Sequence, residues 1–195
     1  LSTTASNQIQ RRSQLVELDQ TSAGAELVVL SHQLPDTTSS AREWTARVEV
    51  FRCEQERWTV GGEQTWTETT EPSDDQPDFV SILPDQNRSS ADRSLHVQVR
   101  SLNWEHDPRH TRVTEQWLVL TSAGLHRTLS LVMDEDIIAG PARASVAALH
   151  TTMRWVTPTR IDVAVTRAGA HAGVCRRTLH WTPNRWVSNR AGCIE

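Results

Sequence analysis

The chain has 195 residues, 37% of them apolar and 23% charged, with a formal net charge of −4. That balance excludes an intrinsically disordered chain, and no apolar run approaches the roughly 20 residues that a membrane-spanning helix needs. All twenty basic side chains are Arg and none is Lys, which excludes Schiff-base lysine chemistry and a P-loop.

In chain order, residues 1–14 ("LSTTASNQIQRRSQ") read as a polar leader, and residues 15–195 as one β-rich domain. From there apolar and polar residues alternate with the period of two that marks half-buried strands. "WTARVEV" puts Trp44, Ala46, Val48 and Val50 on one face. "VGGE" (60–63) reads as a turn between "ERWT" and "QTWTET", since Gly supplies the positive φ of tight hairpins. The Pro- and Asp-rich stretches 69–78 and 83–93 read as surface loops. "SLHVQVR" places Leu95, Val97 and Val99 together, and "RVTEQWLVL" and "LHRTLSLVM" flank a "TSAG" turn at 121–124. "MDEDIIAG" (133–140) reads as a solvated acidic turn after a strand. "PARASVAALHTTM" (141–153) is the one expected helix, with Pro141 in its first turn. "RIDVAVT" is a further strand, followed by a "TRAG" turn at 166–169.

The fold expected from this pattern is mostly β: an antiparallel sandwich or barrel of about nine or ten strands with at most one short helix. The alternative is a small propeller-like repeat of hairpins, because "TSAG" recurs at 21–24 and 121–124. The spacing of these turns is irregular, which favours repeated hairpin chemistry over repeated units.

The chain closes on "CRRTLHWTPNRWVSNRAGC" (175–193). Read as a hairpin with Trp181 opposite Val187, it sets Cys175 opposite Cys193, within disulfide reach. A tighter turn would slip the register by one, and a bulge at Gly192 would restore it. A staple across this separation stabilises by roughly 3 kcal/mol in the chain-entropy model and belongs to an oxidising compartment. A zinc site is disfavoured, since the paired C-x₂-C unit is absent. Cys53 reads as a buried, inert thiol.

Metal-ligand candidates are His106 and His110 in "NWEHDPRH", and Asp134 and Asp136 in "MDEDIIAG". In an extended strand the two histidines stand roughly 13 Å apart, too far to share an ion, so a polar hairpin tip is favoured over a metal site. Glu105, Asp107 and Glu135 accompany them without the EF-hand spacing. No G-x-S-x-G elbow is present. Among the eight Trp, those bordering turns (Trp58, Trp66 and Trp186) are the ligand-stacking candidates, whereas Trp44 and Trp181 align with core positions. "FRCEQERW", "GVCRRTLHW" and "NRWV" resemble the strand–turn–Trp hairpins of exported bacterial proteins. The calcium loop of integrin-like repeats is missing, so no site is carried across.

Charge is uneven. Residues 1–140 carry net −10 and residues 141–195 net +6. A basic face for an anionic partner is one meaning; pairing of the two halves within one fold is the plainer one. Nucleic-acid binding is disfavoured because the Arg are scattered singly. The expected function is a non-catalytic extracytoplasmic β domain (periplasmic, secreted or envelope-anchored), acting as a binding or envelope-assembly module without a cofactor. Its partner would be a protein or a carbohydrate. The alternative is a carbohydrate-active hydrolase whose site is assembled from distant carboxylates or histidines.

Overall fold

The computed structural model describes residues 9–16, 26–33, 42–70, 79–83, 94–103, 109–140, 144–157, 159–169, 172–182 and 185–188. These form strands β1 (Ile9–Val16), β2 (Glu26–Gln33), β3 (Arg42–Glu54), β4 (Arg57–Thr70), β5 (Val80–Ile82) and β6 (Ser94–Asn103). The chain continues through β7 (Arg109–Thr121), β8 (Gly124–Ala139), β9 (Ala144–Thr157), β10 (Arg160–Gly169), β11 (Gly173–Thr182) and β12 (Arg185–Ser188). Every pairing is antiparallel, in a four-stranded sheet ordered β1-β2-β3-β4 and an eight-stranded sheet ordered β12 to β5. The expected mostly-β sandwich is therefore the architecture, and the sheets do not close into a barrel. Among the described residues no helix is long and apolar enough to cross a membrane.

The period of two explains the layers. The four-stranded sheet turns Val28, Leu30, Trp44, Ala46, Val48 and Val50 onto β5–β8 of the larger sheet, whose Val80, Leu95, Val97, Leu118 and Leu120 meet them. Burying each such side chain favours folding by about 1.5–3 kcal/mol. Trp117, next in sequence to Leu118, points the other way, as alternation requires. It opens a second core with Leu131, Ile161, Val163 and Leu179. That core exists because β9 pairs only with the end of β8, Asp134–Ala139. Beyond that stretch β8 has no pairing with β9, and β12 is in contact with β8.

Five local expectations are corrected. Over its described part, residues 144–153, the expected helix lies in β9, because hydrogen bonding to β8 and β10 on both sides outweighs the helix preference of its alanines. "VGGE" is not a turn but lies inside β4, where the register shifts between Val50 and Phe51 and leaves Gly61 as the extra residue. The turn itself falls at Gln55 and Glu56, with φ of 50° and 63°. "MDEDIIAG" likewise continues β8 rather than ending it. β1 runs over Ile9–Val16, so residues 9–14 of the expected 1–14 leader are strand. Cys53 is exposed rather than buried, since it sits beside that turn at the end of the β3–β4 hairpin.

The glycines of β4 serve close approach. A Cβ on Gly62 would lie 2.4 Å from the Leu125 backbone nitrogen and 2.9 Å from its Cβ, where the β7–β8 turn presses on the smaller sheet. "TRAG" ends β10 with Gly169 at φ 97° and a bond from the Ala172 N–H to the Gly169 carbonyl. A side chain there would also meet the Val146 carbonyl at 2.6 Å.

Candidate functional site

The expected site residues separate into four neighbourhoods. At the β3–β4 hairpin end, Trp58 is 50% exposed and Val60 54%. Phe51 pairs with both Leu27 and Val60, and Cys53 pairs with Trp58. Directly opposed residues share a face, so Leu27, Phe51, Val60, Cys53 and Trp58 form an apolar patch on the outer side of the smaller sheet.

Trp66 lies elsewhere. It is half-buried against the first core, and its Nε1–H donates to Gln116 Oε1 at 3.1 Å. Trp186 packs edge-on to Trp155 and Trp181, with ring centroids 5.6 and 5.4 Å away. Both are thus packing residues, and of the three Trp expected to grip a ligand only Trp58 is exposed. The reason for Trp186 is register. β11 and β12 pair Trp181 with Trp186, not with Val187, which makes the connection one residue tighter than the sequence reading takes it. Cys193, the expected partner of Cys175, lies outside the described residues.

The acidic run is dispersed by alternation. His150 Nδ1 and Asp134 Oδ1 are 2.6 Å apart, and the Ser145 hydroxyl donates to Asp136 Oδ1 at 2.5 Å. Glu135 accepts from Arg112 at 2.6 and 2.9 Å and lies 2.6 Å from His110 Nε2. Burial works to raise the Glu135 pKa, but the hydrogen bonds and charges of Arg112 and His110 outweigh it and hold the carboxyl below its usual value. Its contribution to stability is therefore complete above the unfolded value of 4.5 and is lost as pH falls through the lower folded value. Replacing Arg112 with Ala is expected to move the Glu135 titration upward in carboxyl NMR; an unmoved titration refutes the pairing. Among the described residues no group of three His, Cys, Asp or Glu is placed to hold a metal ion. His106, Glu105 and Asp107 lie outside them.

Glu68 is the one described carboxyl raised above its usual value. Burial dominates, and the Leu102 N–H, donating at 2.8 Å, offsets only part of it. Its ionised form thus disfavours folding as pH rises through the unfolded value. Glu68→Gln keeps the acceptor for Leu102 and removes the charge. It should raise the urea midpoint at neutral pH and leave it unchanged in acid, where both side chains are neutral.

A further neighbourhood holds none of the expected site residues. On β10, Ile161 and Val163 are buried in the second core, so Arg160, Asp162 and Ala164 face outward. Arg154 and Thr152 on β9, and Arg176, Thr178 and His180 on β11, line up beside them. Together they line an open trough of about 780 Å³. Asp162 sits at its centre. It accepts from Arg154 at 3.0 Å, from Arg160 at 3.4 Å and from the Thr178 hydroxyl at 2.9 Å. The Arg154 hydrogen bond, then that of Thr178, hold its carboxyl below the usual value. Among the described residues, the side chains of Arg176 and His180 have no hydrogen-bond or ion-pair partner. The net charge of residues 141–195 was the sequence signal for this face, and the strand register is what gathers it. Comparison with protein-family models, curated proteins and solved structures finds no match for the chain.

Proposed function

We propose that the chain is a non-catalytic extracytoplasmic β domain that acts as a binding or envelope-assembly module. The observation that carries this reading is the apolar patch around Trp58 and Val60. Trp offers a large, rigid contact surface at small entropic cost, and a contiguous apolar patch on an otherwise polar outer face has the character of an interaction surface. The Cys175–Cys193 staple, with its bulge, is part of the same proposal and ties it to an oxidising compartment.

Two measurements test it. Alkylation of the native, unreduced chain should label Cys53 alone, and reduction and unfolding should expose Cys175 and Cys193; labelling of all three without reduction refutes the staple. For the patch, wild type and a Trp58→Ala/Val60→Thr variant are compared on polysaccharide and peptide arrays. Retention of the wild type and its loss in an equally stable variant is the expected result; equal retention of the two, or none for the wild type, overturns it. The rival hydrolase needs a raised-pKa acid facing a second carboxylate. Glu68 supplies the first, but its carboxylate accepts from a backbone N–H. Turnover of aryl glycosides that is lost in Glu68→Gln would replace the binding reading.

A further inference from the structure

We propose that the trough on the outer face of β9, β10 and β11 binds a phosphomonoester group through Arg154, Arg160, Arg176 and His180. This site is independent of the Trp58 patch, which belongs to the other sheet. Three features point to it. The first is charge. Three guanidiniums surround a single carboxylate, Asp162, leaving a surplus of two positive charges. A phosphomonoester, carrying about −1.5 to −2 at neutral pH, matches that surplus, whereas a carboxylate or sulfate ester leaves part of it uncompensated.

The second is the state of the donors. Each guanidinium has five N–H groups in a fixed fork. Arg154 and Arg160 each reach Asp162 through their Nη2, so Asp162 orients them while the rest of each fork stays available. Arg176 and His180 have no partner among the described residues. Donors that are fixed but unspent are what a charge-assisted anion site requires.

The third is shape. Ala164 lies between Thr152 and Arg176 in the strand register, and its short side chain leaves the floor low beneath the longer groups around it. The resulting volume of about 780 Å³ is far larger than one phosphate and falls in the usual range for small-molecule pockets. The phosphate therefore arrives on a polar carrier, either a sugar phosphate or a phospholipid headgroup. Thr152 along the trough is placed to meet that carrier.

Titration of the full chain with inorganic phosphate at constant ionic strength, followed by amide NMR, tests the site. Saturable shifts are expected at Ala164, Arg176 and Thr178, with a dissociation constant of about 1 mM. An Arg176→Glu/His180→Gln variant alters only side chains without partners among the described residues, so the fold is retained, and it should bind about tenfold more weakly or worse. Glucose 6-phosphate and vesicles containing phosphatidic acid then separate the carriers: tighter binding of the first identifies a soluble sugar phosphate, and retention by the second identifies a headgroup. The proposal fails if phosphate moves none of these amides, if sodium chloride at equal ionic strength moves them equally, or if the variant binds as the wild type does.

Discussion

Gly62→Ala is expected to destabilise the fold by about 3 kcal/mol. The added Cβ would stand 2.4 Å from the Leu125 backbone nitrogen, a separation no packed carbon keeps. The obstacle is backbone in the turn between β7 and β8, so a change of rotamer cannot relieve it. Either the turn lifts or the two sheets part, and the core between them loses contacts in both cases. Gly61→Ala is the matched control. Its Cβ would meet only the flexible Arg52 side chain, at 3.3 Å, and the cost should stay below about 1 kcal/mol. Urea denaturation of both variants reads the difference. Equal midpoints would mean that the small-residue approach at β4 contributes nothing to how the sheets meet.

Trp117→Ala should cost about 4 kcal/mol. Trp117 is 2% exposed and stacks on the His96 ring with centroids 4.2 Å apart. His96 in turn lies 3.0 Å from Glu115. Truncation opens a cavity in the second core and strips one face of that imidazole. It also removes the anchor that sets β7 against Leu131 and Ile161. Trp58→Ala is the contrast: at 50% exposure it should change stability by no more than about 0.5 kcal/mol. Thermal unfolding of the two variants side by side separates a packing Trp from a surface one; similar losses would remove the basis for assigning Trp58 to a binding patch.

Much of the fold is legible in the sequence because alternation is a local signal. The faces of β3 and β6 follow from reading every second residue, and Trp44 and Leu95 are in the core where that reading puts them. What is not legible depends on partners. The segment that becomes β9 is rich in alanine, and only strands on both sides make it extended. The Gly61–Gly62 pair looks like a turn until the approach of Leu125 gives it another purpose. The slip of the last hairpin rests on a single residue of turn length, below what composition resolves, yet it moves Trp186 from a rim to a packed aromatic group. The trough is the clearest case. Arg154, Arg160, Arg176 and His180 are scattered along the sequence, and only the pairing of β9, β10 and β11 brings them to one place. The acidic run shows the converse: adjacent in sequence, Asp134 and Glu135 are sent to different partners by the pleat.

Within each sheet, strands lie side by side in the order in which they are synthesised. No strand has to wait for a mate made much later. As the polypeptide issues from a ribosome or a narrow pore, each new segment can zip onto the one just before it, with short loops to close and little entropy lost per step. The clasp of one sheet upon the other and the contact of β12 with β8 are long-distance events, and they come after the ladders that prepare them.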